Sequence, residues 1–101
     1  MTTEYTGHDR DITVSAGEEF VIALESNPTT GHDWEAHFDS STLQLVDREF
    51  SAYGSGIGSG GIERFRLKAL NAGDTKLELL YKRAWETIAT EDIVFHVHVK
   101  N

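Results

Sequence analysis

Two histidines near the C-terminus come closest, in type and spacing, to a metal site. His96 and His98 are separated by one residue, so both side chains point to the same face if this stretch is a β-strand. Zinc sites use three or four protein ligands, and no third ligand is evident in the sequence. We therefore interpret the pair as a solvated strand face, and we expect no metal and no other cofactor.

The glycines of residues 54–61 offer a second possibility, because they contain the nucleotide-binding spacing G-x-G-x-x-G. Gly56, Gly58 and Gly61 satisfy that spacing, in which bare backbone approaches a pyrophosphate. The chemistry also needs a helix that opens at the third glycine, whereas a strand is predicted to follow here. Nucleotide binding is therefore disfavoured.

Catalytic patterns are absent from the sequence. It contains no G-x-S-x-G, no H-E-x-x-H and no EF-hand loop. Its serines, histidines and carboxylates have no spacing typical of a triad or of an acid–base pair. It also has no cysteine, which excludes a thiol nucleophile and disulfides. We expect a protein that is not an enzyme.

Length and charge limit the partners. The 101 residues are enough for a single domain, 1–101, and nothing in the sequence requires more than a monomer. Acidic residues outnumber basic ones 17 to 9, and the net charge of -8 makes nucleic acids and membrane surfaces poor partners. The first residues lack the basic and apolar regions of a signal peptide. We expect a cytoplasmic protein, or one already processed from a secreted or periplasmic precursor.

The elements that must position any functional residue are predicted to be β-strands. Apolar residues recur at every second position, which is the period expected of strands with one buried face. Such runs are Ile12 and Val14; Phe20, Ile22 and Leu24; Trp34, Ala36 and Phe38; Leu43 and Leu45; Leu77, Leu79 and Tyr81; and Ile93, Phe95, Val97 and Val99. The turn at residues 16–18 predicts that the two strands beside it pair with each other.

Residues 62–70 fit two structures. A helix would place Ile62, Phe65 and Ala69 on one face, and a strand would place Phe65, Leu67 and Ala69 on one face. The strand is favoured because residues 71–74 follow as a hairpin turn. The complete pattern predicts an all-β fold, an immunoglobulin-like antiparallel β-sandwich of about seven to eight strands.

The proline segment, residues 27–31, is more elaborate than a connection between strands requires. Its sequence is Asn27-Pro28-Thr29-Thr30-Gly31. Proline fixes one φ angle, glycine accepts a positive φ, and two adjacent threonines are stiff at χ1. These properties describe a shaped loop with hydroxyl groups at its tip, although a well-made ordinary turn would have the same composition.

Two further segments have unusual compositions. The glycine segment, residues 54–61, has five glycines in eight residues, so another chain can approach its backbone closely. The tryptophan segment, residues 82–86, contains Arg83 and Trp85, and these two residue types are enriched at binding hot spots. A tryptophan in a small domain is more often a core residue. We assign Trp34 to the core because it lies in a clean alternation, and Trp85 to the surface.

Taken together and in this order, NPTTGxxW at residues 27–34, GSGG at residues 58–61 and RAW at residues 83–85 resemble the chagasin family of cysteine protease inhibitors, inhibitor family I42. The resemblance spans most of the chain. The third motif is usually Arg-Pro-Trp in that family, so Ala84 removes the φ restraint of a proline.

The resemblance implies a sandwich that inhibits papain-like cysteine proteases, such as papain and cathepsin L-like enzymes, reversibly and competitively through three loops at one end. The implied protease-binding residues are Asn27, Pro28, Thr29, Thr30, Gly31, Gly58, Ser59, Gly60, Gly61, Arg83, Ala84 and Trp85. The alternative is an immunoglobulin-like adhesion or carbohydrate-binding module, in which aromatic and glycine-rich loops also occur. That alternative leaves the NPTTG motif unexplained.

Overall fold

A computed structural model describes residues 2–54 and 60–101 of the chain. The described part contains eight strands and one 3₁₀ turn. The strands are β1 (Thr3–Thr6), β2 (Asp11–Ser15), β3 (Glu19–Ser26), β4 (His32–Phe38), β5 (Leu43–Ala52), β6 (Gly61–Ala69), β7 (Gly73–Arg83) and β8 (Glu91–Lys100). The 3₁₀ turn, Pro28–Thr30, lies between β3 and β4. No helix within these residues is long and apolar enough to cross a membrane.

The strands form two four-stranded sheets that pack face to face. One sheet has the order β1-β3-β6-β5 and the other has the order β2-β8-β7-β4. The β1–β3 and β2–β8 pairs are parallel, whereas the four other pairs are antiparallel. This is the predicted immunoglobulin-like sandwich, and the fold prediction is confirmed.

The core lies between the sheets and is made by the predicted apolar alternations. Phe20, Phe65 and Phe95 are fully buried at its centre. The stretch that fitted both structures forms strand β6, Gly61–Ala69, so the helical alternative is wrong. In β6 the buried positions alternate with partly exposed arginines and a lysine, as a period of two requires.

Two predicted strand pairings are wrong. The turn at residues 16–18 connects β2 in one sheet to β3 in the other. The turn predicted at residues 71–74, of which Gly73 and Asp74 are already part of β7, connects β6 to β7 in the same way. Neither turn closes a hairpin. Alternation determines which side chains of a strand share a face, but it carries no information about which strand lies beside it.

The register of the strands brings three connections to one end of the sandwich. Gly61, at the start of β6, pairs with Ser26 at the end of β3 and with Ala52 at the end of β5. His32, at the start of β4, pairs with Arg83 at the end of β7. The loops that follow β3, β5 and β7 therefore emerge side by side.

Candidate functional site

Three neighbouring loops form the candidate site. They are the β3–β4 loop (residues 27–31), the β5–β6 loop (residues 53–60) and the β7–β8 loop (residues 84–90). The three segments singled out in the sequence lie in or beside these loops. Among the described residues the site contains Asn27, Pro28, Thr29, Thr30, Gly31, Gly60, Gly61, Arg83, Ala84 and Trp85. Gly58 and Ser59 lie outside the described residues.

The β3–β4 loop is closed by its own hydrogen bonds. The Asn27 side chain accepts two hydrogen bonds from Thr29, one from the backbone N–H at 3.2 Å and one from the side-chain hydroxyl. The Thr30 hydroxyl donates to the Asn27 carbonyl at 2.8 Å. Gly31 ends the turn with a φ of 82°, a left-handed conformation that favours glycine. The loop is thus held in one shape before any partner arrives.

A column of aromatic rings connects this loop to the core. The Trp34 ring is buried and lies 4.7 Å from the Tyr81 ring, which in turn stacks at 5.1 Å on His32. The Tyr81 hydroxyl also accepts a 2.9 Å hydrogen bond from the backbone N–H of Asn27. The base of the loop is therefore attached to the packed interior, and the assignment of Trp34 to the core is confirmed.

The β7–β8 loop is held by a glutamate rather than by a proline. The Glu86 carboxylate accepts a 3.0 Å hydrogen bond from the backbone N–H of Arg83, and the Glu86 N–H donates to the Arg83 carbonyl at 3.0 Å. Lys82 Nζ donates to the Glu86 carbonyl at 3.1 Å. These three bonds restrain the turn around Ala84, where the related family motif has a proline.

Arg83 joins the β3–β4 and β7–β8 loops. Its Nε donates a 3.0 Å hydrogen bond to the Thr30 carbonyl, and its guanidinium lies 5.9 Å from the centre of the Trp85 ring. A β-carbon placed on Gly31 would lie 3.7 Å from Trp85 Cη2, so the indole stands next to the proline segment. The two loops present one continuous surface.

Large apolar side chains are exposed on this surface. Trp85 is 75% exposed, as predicted, and Ile88 in the same loop is 82% exposed. Tyr53, on the other side of the β3–β4 loop, is 63% exposed. Ile88 and Tyr53 were not identified from the sequence, because a single apolar residue in a loop is not distinctive. Exposed apolar groups that cluster at one end of a small domain indicate a binding surface.

The described end of the β5–β6 loop is tightly packed. Gly60 accepts a hydrogen bond at its carbonyl from the Tyr53 N–H at 3.0 Å. A β-carbon on Gly61 would lie 2.2 Å from the Ser51 carbonyl oxygen, so only glycine fits there. Tyr53 donates to Glu25 at 3.4 Å, and desolvation together with the Glu25 charge raises the pKa of the tyrosine. Its hydroxyl therefore stays a neutral donor at neutral pH.

The two histidines of β8 lie elsewhere, on the outer face of the second sheet. Both are exposed, and His98 Nδ1 contacts the Asp74 carboxylate. Across residues 2–54 and 60–101, no three histidine or acidic side chains come together as a metal site would require.

Comparisons with known proteins identify the family of the chain. The sequence model of the chagasin family peptidase inhibitor I42 matches residues 13–99. Chagasin from Trypanosoma cruzi is 31% identical over 97 residues, which cover 88% of this chain and 86% of chagasin. Amoebiasin-1 from Entamoeba histolytica is 28% identical over 92 residues and 90% of both chains.

The fold also matches a solved structure. The crystal structure of the cysteine protease inhibitor EhICP2 from Entamoeba histolytica superposes with a TM-score of 0.85 at 23% identity, over 98% of this chain and 97% of that one. At this identity the likeness supports the fold, while the family match covers the three loops as well. The chain belongs to the chagasin family of peptidase inhibitors.

Proposed function

We propose that this protein is a reversible, competitive inhibitor that blocks the active-site cleft of papain-like cysteine proteases with its three neighbouring loops. Family membership makes the chain an inhibitor and not an enzyme. The observation that carries the proposal is the joining of the rigid Thr29–Gly31 turn to the exposed Trp85 through Arg83. The rigid β3–β4 loop and the exposed indole of Trp85 thereby form one surface.

The β3–β4 loop is suited to enter a cleft without being cleaved. Thr29, Thr30 and Gly31 are exposed at the tip, while the Asn27 cap and the hydrogen bond to Tyr81 hold the loop from below. A preformed loop loses little conformational entropy on binding. Its closed turn also does not present the extended backbone of a substrate to the catalytic thiol.

The two flanking loops supply the remaining contacts. Residues Gly58 to Gly61 of the glycine segment would lie along the substrate cleft and exchange backbone hydrogen bonds with the enzyme, which is easiest where side chains are absent. Trp85 would pack on apolar enzyme surface on the other side, with Arg83 and Ala84 behind it. Such an interface would bury on the order of 1,600 Å² in total, the usual size for a protease and its inhibitor.

The test is to titrate papain and a cathepsin L-like protease with the protein and to follow hydrolysis of a small fluorogenic peptide. Competitive inhibition at nanomolar concentration, lost on dilution of the complex, is the expected result. A folded sample that leaves both enzymes fully active at micromolar concentration would remove this proposal. Binding to glycans by the same sample would then favour the adhesion or carbohydrate-binding alternative.

A further inference from the structure

His32 lies between two loops of the candidate site, and it occupies one of the two positions that the NPTTGxxW motif leaves unspecified. Its side chain is only 14% exposed. Nδ1 lies 2.8 Å from the Thr30 hydroxyl in the β3–β4 loop, and Nε2 lies 3.3 Å from the Thr90 hydroxyl at the end of the β7–β8 loop. The ring thus bridges the two loops with its two nitrogens.

The hydrogen-bond directions determine the tautomer of the neutral ring. The Thr30 hydroxyl uses its only proton to donate to the Asn27 carbonyl at 2.8 Å. It therefore acts as an acceptor toward His32, whose Nδ1 must carry the proton. Nε2 is left as an acceptor for the Thr90 hydroxyl.

Protonation of the ring leaves both contacts in place. A protonated Nε2 donates to Thr90, whose hydroxyl can rotate and accept. The charged groups that face the ring come from β7 and the loop after it. They are the Glu86 carboxylate, 3.9 Å from Nε2, and Arg83, which pairs with His32 across the strands. The Tyr81 ring stacks on the imidazole.

We propose that His32 is a positioning residue that holds the β3–β4 and β7–β8 loops in one arrangement, in both the neutral and the cationic state. Its importance for inhibition rests on the proposed function, whereas the bridge itself is a property of the free protein. Both partners are hydroxyl groups, which makes this possible. The Thr30 hydroxyl accepts from Nδ1–H in either state, and the Thr90 hydroxyl can donate to the neutral Nε2 or accept from the protonated one. At Nε2 a carboxylate could accept only from the cationic ring, and a backbone N–H could donate only to the neutral ring.

The first test measures inhibition of papain by His32→Phe, Thr90→Val and the double variant. Phenylalanine keeps a ring for the stack on Tyr81 but makes neither hydrogen bond, and valine has the shape of threonine without the hydroxyl. We expect an inhibition constant about ten-fold higher for His32→Phe and about three-fold higher for Thr90→Val. The double variant should be no worse than His32→Phe alone, because both changes break one bridge. The proposal would be overturned if the two single-variant effects on the inhibition constant multiplied in the double variant. It would also be overturned if His32→Phe kept the wild-type inhibition constant.

The second test uses the free protein, so that it does not depend on the protease. Imidazole nitrogen NMR shifts should identify the Nδ1–H tautomer in the neutral form of His32, and backbone relaxation should find residues 28–31 and 86–90 more mobile in His32→Phe than in wild type. The Nε2–H tautomer, or unchanged mobility in both loops, would refute the bridge. If wild type fails to inhibit papain while these signatures are present, the proposed function fails and the bridge stands.

Discussion

The Nε of Arg83 donates a 3.0 Å hydrogen bond to the carbonyl oxygen of Thr30, across 53 residues of sequence. Only arginine combines a directed Nε–H with a flat cation that can lie near an indole, and the guanidinium lies 5.9 Å from the Trp85 ring centre. The Arg83 side chain therefore fixes the distance between the β3–β4 loop and the indole of Trp85.

Replacing Arg83 by lysine should weaken inhibition while leaving the fold intact. Lysine keeps the charge but has no Nε–H directed at Thr30, so the two loops lose their direct connection. We expect an inhibition constant raised about ten-fold, which corresponds to about 1.4 kcal/mol, with little change in melting temperature. The control is Arg66→Lys, because Arg66 pairs with Glu19 on the outer face of the other sheet. Equal inhibition by both variants would contradict the prediction.

Gly31→Ala and Gly17→Ala form a matched pair. Gly31 has a φ of 82° and Gly17 a φ of 91°, and a methyl group meets no atom closer than 3.7 Å at either position. Alanine in this left-handed region costs about 1 kcal/mol of unfolding free energy. Both variants should lose that amount in urea denaturation.

Inhibition should separate the two glycine variants. Gly31 lies in the β3–β4 loop, and Gly17 lies in the turn between β2 and β3 at the opposite end of the sandwich. Only Gly31→Ala should raise the inhibition constant, because only that strain falls in the loop that enters the cleft. A similar constant for both would mean that the shape of the β3–β4 loop does not matter.

The sequence predicted side-chain environments better than it predicted neighbours. Trp34 and Trp85 were separated correctly, because a regular alternation indicates a buried face and a charged loop indicates solvent. The predicted partners of β2 and β6 were wrong, since turns that cross between sheets have the same glycines and polar residues as hairpin turns.

Contacts between loops were also beyond sequence reasoning. The sequence motifs indicated which loops to consider. The Arg83–Thr30 hydrogen bond and the position of His32 between Thr30 and Thr90 depend instead on the register of β4 against β7. Such a register is set by long-range packing, which local patterns do not contain. Strand β1, which pairs in parallel with β3, was missed for a different reason, because its four residues are too few to display an alternation.

Asp39 should make the stability of the protein depend on acidic pH. The hydroxyl and backbone N–H of Ser41 donate to its carboxylate at 2.7 and 2.9 Å, and these bonds hold its pKa below the ordinary value of 3.8. The folded state therefore binds the proton less tightly than the unfolded state. The stabilisation is present above the unfolded pKa and is lost as pH falls through the folded pKa.

The variant Asp39→Asn tests this sign. Urea midpoints of wild type and variant should differ at about pH 6 and approach each other as pH falls below the ordinary value of 3.8, because a growing fraction of the wild-type carboxylate is then protonated. The comparison needs no protease, so it reports on the turn between β4 and β5 alone. A difference that stays constant across this range would show that the carboxylate charge is not responsible.

Arg48→Met should destabilise the fold more than other arginine substitutions. Arg48 donates to the Glu63 carboxylate at 2.9 and 3.2 Å, and Glu63 is only 7% exposed. Methionine would leave a buried carboxylate without these donors, at a cost of about 2 to 3 kcal/mol. Arg66→Met removes a more exposed ion pair and should cost less than about 1 kcal/mol. Equal unfolding free energies for the two variants would contradict the argument.

Trp85→Ala should separate binding from folding most clearly. The indole is 75% exposed, so its removal takes away little buried area and the melting temperature should stay close to that of wild type. If the indole packs against the protease, its loss costs about 2 kcal/mol or more of affinity, which is at least about thirty-fold in the inhibition constant.

The control for Trp85→Ala is Leu70→Ala, which truncates an exposed apolar side chain beyond the far end of β6. It should inhibit papain as wild type does, because Leu70 follows the end of β6 that lies opposite the three loops. Trp85→Phe should fall between wild type and Trp85→Ala, since a smaller ring retains part of the contact area. A folded Trp85→Ala variant with an unchanged inhibition constant would place the binding energy in the β3–β4 and β5–β6 loops, and it would remove the aromatic contact from the proposed interface.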